Sequence, residues 1–211
     1  MSSSTIYRLS GVSLVIGGLL AAIGAVGQGF FPNFFSPGWL LMSVSAGIGL
    51  LFILLGLPAV YARQMKEARL LGLIGFILFF IACAQYGGSR GLTDLVVLPW
   101  VTQLNALNNP TLSFILFYII VKLLLLVGSI VFAIATLRAG VFPKGPVILL
   151  LVGSVLFIFG GRVHVVPYLD YFGDMLFSLS FVWFGSALLS QPRREEAFQP
   201  TQAPIGTKAR A

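Results

Sequence analysis

Apolar positions along this chain fall in long blocks separated by short polar connections. The blocks lie at about residues 9–31, 38–61, 70–87, 112–137, 146–161 and 171–190, and most reach the roughly 20 residues that a helix needs to cross a bilayer. They are too long and too continuously apolar for the alternating strands of a membrane barrel. In hydrocarbon every backbone amide needs a partner inside its own segment, so the pattern predicts helices. The fold class it implies is all-α: a polytopic integral membrane helix bundle of about six transmembrane helices over residues 1–190, then a polar tail over 191–211. The fifth block is the shortest. Its residues, at ~1.5 Å each, give roughly 24 Å against an apolar core of ~30 Å, so it is expected to extend into RVHVVP or to sit in locally thinned bilayer.

Composition agrees with a lipid exterior. The chain is 58% hydrophobic and 9% charged, too apolar to wrap around one soluble core without exposing large greasy surfaces. Charge then sets the orientation. Arg63, Lys66 and Arg69 fall between blocks two and three, Arg138 and Lys144 between four and five, and Arg193 and Arg194 after six. The intervening connections carry no charge, or the balanced pairs Arg90 with Asp94 and Arg162 with Asp170. By the positive-inside rule the basic connections, both termini and the tail are expected on the cytoplasmic side of a bacterial-type inner membrane. The formal net charge of +7 is explained by this topology and by anionic headgroups, which removes nucleic acid from the expected partners. Arg8 followed by an apolar run ending near AIGAVG has the look of a secretory signal, but the segment is expected to stay as the first span.

Single copies of two residue types limit the chemistry. Cys83 is the only cysteine and falls in block three, so an intrachain disulfide or thiolate cluster is excluded and a small core role is expected. His164 is the only histidine, which disfavours a bis-histidine b-type haem and a zinc cluster, and no cofactor or metal is predicted. No catalytic set of acid, base and nucleophile is recognisable.

Organisation beyond the spans is carried by Pro, Gly and Arg. Pro37 with Gly56, Pro110 with Gly128 and Pro167 with Gly185 repeat at nearly equal separations, and RLSG and RLLG open two of the odd blocks. Three helical hairpins built on one plan would give this pattern, as would the general preference of Pro for helix starts and Gly for membrane helices. In the first hairpin Ser10, Gly17, Ala21, Gly24 and Gln28 recur at helical spacing and SVSAGIG fills 43–49. Small faces of this kind let backbones approach, so spans one and two are expected in close contact. Blocks three and four are instead rich in Phe, Leu and Ile.

Lys122 is the sharpest single residue, lying well inside block four between FILFYII and LLLLVGSIVF. Intramembrane charges are costly and face protein interiors or watery cavities. A first site is therefore expected around Lys122, Tyr118 and Ser129 on one helix side, with Asp174 as counter-ion and Ser178 one turn below it. The competing reading has Lys122 snorkelling to the outer headgroups and Asp174 serving a helix start. A second site is expected on the outer face from Arg90, Asp94, Arg162, His164 and Asp170, near a connection, Gly88 to Asn109, that reads as a loop with an interfacial helix, and beside Trp39 and Trp100 of an aromatic belt.

Because few polar residues fall within the spans, the sequence favours a noncatalytic accessory or scaffold subunit of a membrane assembly, with a membrane-protein partner or a homo-oligomer besides the bilayer. The alternative is a transporter or channel for a small anionic or amphipathic solute. A lipid-acting membrane enzyme is third.

Overall fold

A computed structural model describes residues 3–31, 33–98, 112–160 and 168–190. All regular structure among them is helical: α1 (Ser3–Phe30), α2 (Pro37–Leu92), which continues into a π-helical turn (Thr93–Val97), α3 (Leu112–Ala139), α4 (Lys144–Gly160) and α5 (Leu169–Leu189). Four apolar stretches, Thr5–Phe30, Pro37–Val97, Ile115–Ala139 and Leu169–Leu189, are long enough to cross a membrane. They suggest a membrane protein. The outward stripe of α1, with Ile6, Leu9, Val12, Ile16, Leu19 and Ile23 all exposed, has the composition that lipid accepts.

The expected connection between blocks two and three is absent. Residues 62–68 read ARQMKEA, good helix formers without Gly or Pro, so the helix runs on through the basic stretch. It turns at Arg69 alone, whose φ of 48° and ψ of −141° leave helical space. The two arms then fold back on one another: Tyr61 stacks on Phe76 with ring centroids 4.8 Å apart, Gly87 meets Leu50, and the Trp39 indole reaches the Asp94 carbonyl at 3.3 Å. Much of the segment expected as a loop after Gly88 likewise continues the second arm. At its start, α2 is fixed by Pro37 in the first turn and by Ser36, whose hydroxyl accepts the Trp39 N–H at 3.1 Å. α3 ends at Gly140, whose φ of 65° suits a residue without a side chain.

Close approach of backbones holds the segments together. α1 lies on the first arm of α2, as its small face predicts: a methyl added at Gly49 would stand 2.5 Å from the Ala21 nitrogen, and one at Gly17 2.7 Å from the Gly49 carbonyl. Ser13 and Ser45 hydroxyls donate across this contact to the carbonyls of Phe52 and Leu20 at 2.7 and 3.0 Å. α1 also packs on α5 through Gly18 and Gly185, and α4 meets α5 through Gly153 and Gly173. Two of the three glycines of the Pro–Gly pattern face the segment before them, Gly56 on α1 and Gly128 on the second arm of α2, whereas Gly185 sits on α1 rather than α4. Pro110 and Pro167 lie outside the described residues, as do Trp100, Arg193, Arg194 and the tail.

Between the second arm, α3 and α5 the core is aromatic. Phe79 stacks on Phe132 at 4.8 Å and meets Phe177 and Phe181, and Phe184 bridges Phe132 and Phe142. Cys83 is fully buried beside them, in the core role expected of it.

Gly49→Ala should destabilise the solubilised protein by about 1–3 kcal/mol through overpacking. Gly47→Ala, whose added methyl meets nothing within 4 Å, should be neutral. Thermal melts of the two variants side by side check this, and equal melting temperatures would count against the α1–α2 contact.

Candidate functional site

One end of the bundle gathers the ends of all six helical segments around a cavity of about 170 Å³. α1 contributes Gln28 and the first arm of α2 contributes Trp39. Tyr86, Arg90 and Asp94 come from the second arm. α3 adds Tyr118 and Lys122, α4 adds Phe157, and α5 adds Asp170, Tyr171 and Asp174. The opposite end carries Arg63, Lys66, Arg69, Arg138 and Lys144 at or near helix ends.

Arg90 organises the wall. Its Nε donates to Asp94 Oδ2 at 3.3 Å, its Nη1 donates to the Tyr86 hydroxyl and the Asp174 carboxylate, and its Nη2 donates to the Gln28 carbonyl oxygen. Only 10% of the Arg90 side chain and 4% of the Asp174 side chain remain exposed, so the pair is largely removed from solvent. Gln28 closes the loop by donating from Nε2 to Asp94 Oδ2 at 2.8 Å and to the Ser43 hydroxyl at 2.9 Å. A carboxamide suits this position because it accepts from the cation on one side and donates to the anion on the other.

The π-helical turn sets Asp94. Its wider register, in which the Leu98 N–H bonds the Thr93 carbonyl five residues back, accompanies an Asp94 carbonyl that accepts the Trp39 indole N–H. The Asp94 side chain, one turn beyond Arg90, faces the guanidinium.

Lys122 approaches from the other wall. Its ammonium lies 4.9 Å from the Tyr118 ring centroid and 5.0 Å from that of Phe157. Helical side chains lean towards the N-terminus, so a lysine deep in α3 reaches up past Tyr118, one turn earlier, to the cavity. Phe157 also meets Tyr86 at 5.1 Å, and the Arg90 guanidinium lies over the Tyr86 ring. A continuous series of cation and ring contacts therefore links Arg90 to Lys122.

The two sites expected from sequence are one. Lys122, Tyr118, Asp174, Arg90, Asp94 and Asp170 line the same cavity. The ion-pair partner of Asp174 is Arg90, a correction to the expected pairing with Lys122: Arg90 lies on the second arm of α2, directly opposite the first turns of α5. Ser129 does not join the cavity; it accepts a hydrogen bond from Ser154 at 3.0 Å within the α3–α4 contact. Ser178 is buried below Asp174, and its hydroxyl has no partner among the described residues. Arg162 and His164 lie outside the described residues. Gln28 and Phe157 were not expected at the site, whereas Tyr86 and Trp39 were expected at the outer face. The period of the small face on α1 does lead to Gln28, the one large polar residue on it.

Arg90→Met alone leaves Asp174 buried without its cation and should cost about 3–5 kcal/mol, whereas adding Asp174→Asn should recover part of that loss. A double-mutant cycle on unfolding measures the coupling, and strictly additive losses would mean that the pair does not act as a unit.

No protein-family model matches this chain, and no curated protein or solved structure matches it either, so the site is read from its own residues and geometry.

Proposed function

We propose that this chain is a six-crossing membrane protein that binds a small polar solute in the cavity around Arg90 and Lys122 and carries it across the bilayer. The observation that supports this reading is the convergence of all six described helical segments on one partly open, charged cavity. Buried charge in a bilayer is expensive, and its usual setting is a solute or ion path. The accessory role expected from sequence rested on the scarcity of polar groups in the spans. Folding concentrates those few groups at one place, which favours solute binding.

The proposed crossing count rests on α2. A straight helix over Pro37–Val97 would be roughly 90 Å long, three times the ~30 Å apolar core, and the reversal at Arg69 divides it into two arms of crossing length. With α1, α3, α4 and α5 this makes six. α4, at roughly 26 Å, requires modest thinning. The basic end is assigned to the cytoplasm, so the cavity opens away from it. Towards the basic end the aromatic cluster around Phe79 and Phe132 closes the bundle, as in a carrier with one gate shut rather than an open pore.

The cavity's access is tested with Ser89→Cys, since Ser89 lines it and native Cys83 is fully buried. A membrane-impermeant cationic thiosulfonate applied to intact cells should modify the new thiol, while the unsubstituted protein stays unmodified. Failure to react from either membrane face would sink the solute reading. A stable hetero-complex that depends on Lys122, found together with that failure, would return the chain to an accessory role.

A further inference from the structure

The walls of the cavity differ in charge, and this difference bears on the solute. The reading that follows rests on the solute-binding function proposed above. On one wall a single cation, Arg90, faces two carboxylates, Asp94 and Asp174. Four of its five N–H donors are directed at Asp94, Tyr86, Asp174 and Gln28, so it is largely engaged by the protein itself. The two carboxylates outnumber it, leaving one negative charge in excess on that side. The bonds to Asp94 fall on Oδ2, which leaves Oδ1 for a further donor. Asp170 stands on the same rim. On the other wall the Lys122 ammonium lies over the Tyr118 and Phe157 rings.

An anion entering this space would meet Lys122 favourably and the carboxylates unfavourably. A cation would meet the reverse. Within so small a volume neither kind of ligand escapes the opposing wall, because charges largely removed from bulk water are weakly screened. A molecule that carries both charges satisfies both walls and adds no net charge to a low-dielectric site. At about 170 Å³ the cavity is below the range of drug-sized pockets, so the ligand is compact.

We propose that the cavity takes a compact zwitterion, with its ammonium group towards Asp94 and Asp174 and its anionic group on Lys122. A free amino acid and an ethanolamine-phosphate headgroup share this chemistry.

Titration calorimetry on the purified full-length protein in nanodiscs, with the standard L-amino acids and glycerophosphoethanolamine as probes, tests the assignment. The tightest amino acid is then compared with its methyl ester, which keeps only the cation, and its N-acetyl form, which keeps only the anion. Each should bind at least about tenfold more weakly than the parent. Lys122→Met, confirmed folded by its thermal melt, should weaken the parent by a similar factor and leave the ester unchanged. Tighter binding of glycerophosphoethanolamine than of any amino acid would support the zwitterion and identify a lipid headgroup as its source. Equal binding of the ester or the N-acetyl form would overturn the zwitterion and leave a solute site of one charge. Absence of binding by every probe would overturn it too. The cysteine labelling above then decides whether the solute reading also fails: a labelled cavity keeps that reading, and an unlabelled one removes both.

Discussion

A guanidinium buried in an apolar bundle must be surrounded by acceptors, and that requirement at Arg90 fixes the cavity end of this protein. The group binds Asp94 on its own arm, Asp174 on α5 and Gln28 on α1, and Gln28 in turn holds Ser43 on the first arm. Four segments that are far apart in sequence are thereby set at one height. Exposed ion pairs contribute little, but a pair with this degree of burial cannot lose one member without leaving an uncompensated charge. The network therefore specifies which helix ends meet more than it adds to total stability.

Elsewhere the helices are held by shape. Glycine faces on α1, the first arm and α5 bring backbones close enough for hydroxyl-to-carbonyl bonds across the contact, which bulkier residues would prevent. The aromatic cluster serves the opposite purpose, filling the space between the second arm, α3 and α5 with rings in stacked and edge-on contact. The result is a molecule with a polar, partly hollow end and a dry, packed middle. Any passage from one end to the other requires Phe79 and its neighbours to separate, so the second arm of α2 and α5 are the elements whose relative movement would matter.

Much of this was legible in the sequence, for reasons that can be named. Apolar block length fixes helix class and approximate bounds because the bilayer imposes both. Lys122 and Asp174 stood out because charges in apolar surroundings are costly, and Arg90 and Asp94 as the charged residues of an outer connection. The pairing was not legible: Asp174 lies 84 residues from Arg90, and nothing local distinguishes Arg90 from Lys122 as its partner. The union of the two expected sites depends on the lean of helical side chains, which brings Lys122 up to the level of the outer face. Gln28 was read as part of a packing face because its neighbours at helical spacing are small. The turn at Arg69 was misread as a loop from its charge, although its flanking residues all favour helix.

That turn has a consequence for how the two arms of α2 can move. With the reversal confined to Arg69, the polar stretch 62–68 stays helical and leaves no loose loop between the arms. Neither arm can be drawn far from the other without unwinding helix on one side of the joint. Mechanically the pair is a single helical hairpin, with Lys66 and Arg69 at its tip.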